Sequence, residues 1–309
     1  MRVLAGDIGG THARLALVEV GRRRARMLED RTYSSQDAPG LAPLIEDLLR
    51  GKPRRPGKAC FGIAGPVVDG EVAGTNLPWS VEARALGKAI GIPDTRLIND
   101  FAAVGFGLPL LGPGDVTTLQ AGEPELHGPI ALLGAGTGLG AGFLLWEGGD
   151  YRVCSSEGGH ASFAPRTVRE LALHAFLSKR FDHVSCERVI SGPGLAAIYE
   201  SLTGRVEDSA AISERAQAGA DAAAVEALDL FAAAFGAEAG SLALTILATG
   251  GVYLAGGIAP RIVAKLEDGT FLTAFRHKGR MGALLARVPV QVVMSPDVGL
   301  LGAAAAAAR

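Results

Sequence analysis

Residues 3–20 carry two apolar runs separated by a glycine turn. Val3, Leu4 and Ala5 lead to Asp7, then Gly9-Gly10-Thr11 intervene, and a second apolar run returns over residues 13–20. Period-two patterning on both sides of a Gly-Gly pair predicts a β-hairpin with a bare tip. Residues 26–35 alternate similarly and predict a third, edge-like strand. Residues 41–49 have apolar positions at helical spacing, ending at Gly51, and residues 58–64 (KACFGIA) read as a short buried strand before Gly65-Pro66. Residues 74–79 (GTNLPW) predict a loop, with Ser80 as N-cap of a helix running to about Ile90 and Gly91 as its stop. Residues 96–98 make a strand ending at Asn99-Asp100; a helix begins at Phe101 and is broken by PLLGPG.

Residues 129–146 (PIALLGAGTGLGAGFLLW) repeat the opening pattern of strand, glycine-threonine turn and returning strand. Two copies of a hairpin-led α/β unit predict two related lobes facing one another across a cleft. Helical patterning covers residues 168–181, 193–202, 210–218, about 221–248 and 299–308, with strands over 252–255 and 288–293. The charge-free stretch 239–260 has the length of a membrane span. Its five glycines, including the pairs Gly250-Gly251 and Gly256-Gly257, predict instead a buried helix end, a glycine stop and a buried strand.

Composition narrows the class. A chain of 309 residues with 48% hydrophobic and 20% charged content fits a globular protein of about two domains. A net charge of −2 gives no general attraction to nucleic acid or anionic membrane. Cys60, Cys154 and Cys186 are scattered, odd in number and without a CxxC pair, which excludes a disulfide framework and argues against a zinc site. The N-terminus enters a strand with no leader pattern, so a cytoplasmic location is expected.

The two glycine-threonine turns, Gly9-Gly10-Thr11 and Gly136-Thr137-Gly138, can aim backbone N–H groups at an anion because no Cβ blocks the approach. Asp7 lies beside the first, where a carboxylate suits the water shell of Mg²⁺ carried by phosphates. There is no GxxxxGK[ST] motif, and GAGTGLG holds no GxGxxG. A GxGxxA at residues 192–197 follows no long buried strand, and its proline suits a helix start. The LAGGI stretch, residues 254–258, is a strand ending in Gly256-Gly257, where a flat adenine could slide over bare backbone.

Asn99-Asp100 falls at the C-terminal end of a buried strand, where α/β sheets place ligands. Asp100 could accept the proton of an attacking hydroxyl there; on position alone the pair better suits a helix N-cap. Glu157 and His160 share the glycine-bent loop SSEGGH. Gly158-Gly159 opposes the helix that a Glu-x-x-His metal pair requires, so the two side chains suit either vicinal hydroxyls of a polyol or a solvated loop. Glu187 taken alone reads as a surface charge or an ion-pair partner.

In order along the chain, GDIGGT, ARLAL, LINDF, GAGTGLG, SSEGGH, SCERVISGPG and LAGGI resemble the bacterial glucokinase family, within the sugar kinase, actin and Hsp70 superfamily, from Arg2 to about Gly302. The resemblance implies an α/β, two-lobe ribonuclease H-like (actin-like ATPase) fold with an internal duplication and a cleft between lobes. The small lobe would be residues 1–109, rejoined by 297–309, and the large lobe 110–296. It implies ATP-dependent phosphorylation of D-glucose at O6, feeding glycolysis, with Asp100 as catalytic base. Asn99, Asp100, Glu157, His160 and Glu187 would hold glucose. Gly6, Asp7, Ile8, Gly9, Gly10, Thr11, Gly136, Thr137, Gly138, Gly256 and Gly257 would hold ATP, with Asp7 meeting Mg²⁺ through water. A homodimer with no nucleic-acid or membrane partner is implied as well.

Two features qualify the match. His12 stands where the family often has Asn, so an imidazole near phosphate would make nucleotide affinity pH-dependent. A flat KM for ATP across about pH 6 to 8, or no change in His12→Asn, would remove that idea. No Cys-rich zinc motif follows His160, where the chain reads ASFAPR, which points to the zinc-independent branch. Three alternatives stay open: a kinase for fructose, mannose or N-acetylglucosamine, a kinase using polyphosphate, and a non-catalytic sugar sensor. Repressors of the related family carry a helix-turn-helix ahead of the fold, whereas the first strand expected here starts at Arg2.

Overall fold

The computed structural model describes residues 1–21, 24–65, 67–72 and 77–309, so positions 74–76 of the expected 74–79 loop, and Pro66 of the expected turn, lie outside the described residues. The chain forms two compact units, Met1–Asp115 with Ser295–Arg309, and Val116–Met294.

In the first unit, β1 (Arg2–Ile8), β2 (His12–Val20) and β3 (Ala25–Ser34) form an antiparallel meander. Helix α1 (Leu41–Leu49) leads to β4 (Lys58–Ile63), which lies parallel to β1. A small hairpin, β5 (Val67–Val68) and β6 (Glu71–Val72), precedes α2 (Ala83–Ile90). Strand β7 (Asp94–Asn99) then pairs in parallel with β4 and runs into α3 (Asp100–Gly107). The sheet order is β3-β2-β1-β4-β7.

Period-two alternation gives this sheet two buried faces. Leu4, Ile8, Leu15 and Leu17 pack with Ile45 and Leu48 on one side. Val3, Ala5, Ala16 and Val18 pack with Ala303, Ala304 and Ala307 of the last helix on the other. The alanine run lets that helix come very close to α3. A Cβ on Gly302 would lie 1.8 Å from the Ala103 carbonyl oxygen, so only glycine fits the crossing.

The second unit holds β8 (Val116–Gln120), β9 (Ile130–Ala135), β10 (Leu139–Glu147) and β11 (Asp150–Ser156). The helices α4 (Val168–Leu177), α5 (Gly192–Thr203), α6 (Ser209–Gln217) and α7 (Ala222–Ile246) follow, then β12 (Gly251–Ala255). Short helices α8 (Val263–Glu267), α9 (Thr270–Arg276) and α10 (Gly282–Leu285) lead to β13 (Val290–Val293), and α11 (Val298–Ala308) belongs to the first unit. The strand order is β11-β10-β9-β12-β13-β8. Its first five strands repeat the plan of the first unit, an antiparallel three-strand meander followed by two parallel strands.

Helix α7 is long and apolar enough to cross a membrane by length and composition alone, and 56% of its most apolar window is buried. Its Phe231 and Phe235 pack in the core of the second unit, where Phe235 meets Phe271 edge-on with ring centroids 5.6 Å apart. The helix ends at Leu247, whose φ of 50° supplies the left-handed C-cap before the glycines are reached.

Two local expectations are corrected. Glu82, not Ser80, caps α2, accepting the N–H groups of Arg84 (2.8 Å) and Ala85 (2.6 Å). Val81 and Glu82 run alongside the β5–β6 hairpin, with Val72 N–H on Val81 O and the N–H of Ala83, the first helical residue, on Gly70 O, and this delays the helix. Strands β8 and β11 have no counterpart in the apolar pattern, because both are edge strands rich in polar residues. The three cysteines are free thiols.

Candidate active site

In the first unit the β1–β2 turn is held from the end of β3. Ser35 N–H donates to Thr11 O (2.9 Å), the Ser35 hydroxyl to Gly9 O (2.7 Å), and the Gln36 side-chain amide to Gly10 O. Ser35 is fully buried, and its own carbonyl accepts the indole N–H of Trp79 at 3.0 Å. Three successive turn carbonyls are thereby drawn toward residues 35 and 36, so their partial negative charge is tied down away from an arriving anion. Sequence reasoning missed Ser35; a small hydroxyl residue just beyond an edge strand was the one available signal.

Gly6 and Ile8, both expected in the nucleotide set, serve the core. Gly6 pairs with Leu15 and Phe61, and a Cβ there would lie 2.5 Å from the Phe61 ring. Ile8 is fully buried. Asp7 sits opposite Arg14 in the β1–β2 register and beside Gly62 of β4. Gly62 lets α3 start close by, since a Cβ on it would lie 2.9 Å from that of Ala103 and 3.5 Å from Asp100 Cα. Burial first, and then repulsion from Asp100, push the Asp7 carboxyl up to about 6, with Arg14 opposing them. Arg14 itself bridges Asp30 and Asp297, and Gly299 of α11 approaches Asp7 Oδ2, at 3.5 Å from where its Cβ would be.

The cap and acid roles at Asn99-Asp100 separate. Asn99 Oδ1 accepts Phe101 N–H (2.9 Å) and Ala102 N–H (3.1 Å) as the N-cap of α3, while its Nδ2 donates to Gly65 O at 3.0 Å. Asp100 is the first residue of the helix, and its Oδ1 accepts Phe101 N–H at 2.7 Å. The first turn of a helix is a favourable place for an acidic side chain, since it faces the positive end of the helix dipole.

In the second unit the β9–β10 turn closes with Gly136 N–H on Gly138 O (2.8 Å), and Gly136 O accepts Gly192 N–H (2.8 Å) at the start of α5. Ser191 caps that helix on Gly194 N–H, in line with the helix-start reading of residues 192–197. Gly256 has φ 83°, and a Cβ on it would lie 2.4 Å from Ala135 O; no atom lies within 4 Å of a Cβ on Gly257. The bare Gly256-Gly257 backbone therefore adjoins the strand end that carries the glycine-threonine turn. Thr137, Glu187, Arg188 and Ser191 are among the residues lining one pocket.

Glu187 is no mere surface charge. It sits in a single 3₁₀ turn, Cys186–Arg188, and its Oε2 accepts Leu139 N–H at 2.9 Å. A Cβ on Gly138 would lie 2.5 Å from that same oxygen. The SSEGGH loop bends against the same residue from the other side: a Cβ on Gly159 would lie 1.9 Å from Leu139 O. Gly158–His160 is one 3₁₀ turn, not a helix, and Glu157 Oε2 stands 3.9 Å from His160 Nε2 with both side chains largely exposed. Leu139 is thus a backbone point met both by Gly159 of the Glu157–His160 turn and by the Glu187 carboxylate. Paired carboxylates and an imidazole offer both acceptors and a donor to hydroxyl groups.

Among the described residues, no three His, Cys, Asp or Glu side chains come together as a metal cage. Mg²⁺ needs no such cage, since one or two carboxylates plus phosphate oxygens and waters suffice. Asp7 fits that role, because a divalent cation would offset both the burial and the repulsion from Asp100 that raise its carboxyl.

A model of the family described as Glucokinase matches residues 4–309. A glucokinase of Nostoc sp. is 45% identical over 99% of this chain and 99% of its own length. The crystal structure of a glucokinase from an Antarctic psychrotroph superposes with a TM-score of 0.91 at 34% identity, covering 99% of this chain and 98% of that one. A glucokinase from Balamuthia mandrillaris, solved in complex with glucose, shares the fold with a TM-score of 0.85 at 22% identity, over 100% of this chain and 94% of its own. The chain belongs to the glucokinase family.

Proposed function

We propose that this chain transfers the γ-phosphoryl group of MgATP to O6 of D-glucose, giving ADP and glucose 6-phosphate. The observation that carries this reading is the approach of Asp100, at the C-terminal end of β7, to Asp7 beside a glycine turn whose carbonyls are tied down. The identity with glucokinases over essentially the full chain supports it.

In this mechanism Asp100 orients the O6 hydroxyl and takes its proton as the O6–phosphorus bond forms and the bond to the departing ADP oxygen breaks. Asn99 keeps Asp100 at the first position of α3 by capping the helix. Glu157, His160 and Glu187 hold sugar hydroxyls and so select the acceptor. Gly10, Thr11, Thr137 and Gly138 bind phosphate oxygens through backbone N–H and hydroxyl groups, while Gly256 and Gly257 take the flat base. Gly9 and Gly136, whose N–H groups are already donated to His12 O and Gly138 O, shape the two turns instead. Asp7 would hold the water shell of Mg²⁺, which when bound would neutralise phosphate charge. The unit of Met1–Asp115 with Ser295–Arg309 acts as the small lobe and Val116–Met294 as the large one. As part of the same proposal the protein works in the cytoplasm as a homodimer, a stoichiometry that light scattering measures.

The test is ADP release with MgATP and a hexose panel, with no-sugar and polyphosphate controls. Strong turnover on glucose, weak turnover on its epimers and near zero without sugar is the expected result. Turnover on a different hexose would move the substrate, and glucose binding without turnover would make the protein a sensor.

A further inference from the structure

The backbone just after His160 is joined to the backbone just before Glu187 by three hydrogen bonds. His183 Nε2 meets His160 O at 2.9 Å, Cys186 N–H donates to Ala161 O at 2.8 Å, and Phe163 N–H donates to Val184 O at 2.9 Å. The Cys186 thiol adds a weaker contact, donating to Glu238 at 3.3 Å and lying 3.7 Å from Ser162 O. One rung differs from the rest in being a side chain. Because a carbonyl only accepts, the ring nitrogen of His183 carries the proton and donates.

The need for such a rung follows from the loop itself. Glu157 and His160 have side chains 74% and 61% exposed, so packing does little to place them. Their positions come from the backbone of a turn that contains Gly158-Gly159, the most permissive pair the chain can offer. The entry to the turn is pinned where Ser156 Oγ accepts Gly158 N–H at 3.0 Å. The exit is pinned at the His160 carbonyl, and there the partner is the exposed imidazole of His183.

We propose that His183 is a positioning residue for sugar recognition: by holding the His160 carbonyl it sets where the Glu157–His160 pair stands relative to Glu187. The proposal rests on the reading of those three residues as the glucose-binding set. His183 lies three residues before Cys186 and four before Glu187, so the hydrogen bond ties the two sugar-reading segments of the second unit together. It touches no reacting atom, and its effect passes through His160.

The test compares wild type, His183→Ala and His183→Gln, the last keeping a side-chain N–H donor. Glucose Kd without nucleotide is measured by calorimetry, with KM for glucose and ATP, kcat, and the preference for glucose over its epimers measured alongside. Expected in His183→Ala is a rise of about 5- to 10-fold in glucose Kd and KM, the scale of one lost hydrogen bond. Its preference for glucose narrows, its KM for ATP is unchanged, and His183→Gln recovers most of the loss. An unchanged glucose Kd in His183→Ala, beside a wild type that phosphorylates glucose, overturns the positioning role alone. So does a uniform loss of glucose affinity, ATP affinity and melting temperature, which would mark a merely structural residue. A wild type that phosphorylates no hexose overturns the reading beneath it and the role with it.

Discussion

Asp7 and Asp100 come from different elements, the strand β1 and the first turn of α3, yet stand close enough for the charge of Asp100 to help hold the proton on Asp7. The register makes this possible: Asp7 lies beside Gly62, and Gly62 leaves room for α3 to begin almost on top of it. Two neighbouring carboxylates are unfavourable for the free protein and useful once a cation arrives, a common pattern at functional sites.

That relationship predicts a pH dependence of stability. The Asp7 carboxyl is raised from 3.8 to about 6 on folding, so near pH 4 to 6 the folded state binds more protons than the unfolded one. Stability therefore falls as pH rises through this window, and the loss is complete above about pH 6. At roughly 1.4 kcal/mol per pH unit the penalty is about 3 kcal/mol at most. Asp7→Asn should match wild type near pH 4 and exceed its melting temperature at neutral pH when nucleotide and Mg²⁺ are absent. A difference in melting temperature that does not vary with pH would refute this origin.

Ser35 predicts a nucleotide effect from a residue outside the turn it serves. Ser35→Ala leaves the Gly9 carbonyl without its hydroxyl donor and should cost about 1 kcal/mol of stability. The loosened turn should raise KM for ATP more than KM for glucose. Steady-state kinetics with each substrate varied in turn would check it, and an unchanged ATP KM would show that the tether serves only the fold.

Much of this architecture is visible in the sequence, and the reason is local. Each hairpin declares itself through alternation on both sides of a glycine turn, and the second copy at residues 129–146 announces the duplication. Asp100 is legible because a buried strand ends beside it. Glu187 is not legible from its own surroundings, since the atom that fixes it, Leu139 N–H, lies 48 residues away. Ser35 reaches back 26 residues to Gly9, again beyond any periodic pattern. Residue types and spacings report which side chains a strand or turn presents, whereas long-range hydrogen bonds that orient them are set by tertiary packing.

Gly138 offers a test of the Glu187 arrangement. A methyl group there would fall 2.5 Å from Glu187 Oε2, so Gly138→Ala should displace the carboxylate from Leu139 N–H. We predict a rise in KM for glucose of about 10-fold, the scale of a charge-assisted hydrogen bond. Combining it with Glu187→Gln should add less than the two single changes sum to, because both act on one contact. Strict additivity in that double-mutant cycle would separate Gly138 from Glu187.

The central claim is that Asp100 takes the proton from O6 of glucose. Its most direct test is kcat of Asp100→Ala beside glucose binding to the same variant by calorimetry. The account predicts a fall in kcat of at least ~10²-fold, the usual scale for a positioned base, with glucose binding still measurable. Turnover near that of wild type would contradict it and remove Asp100 from the chemistry.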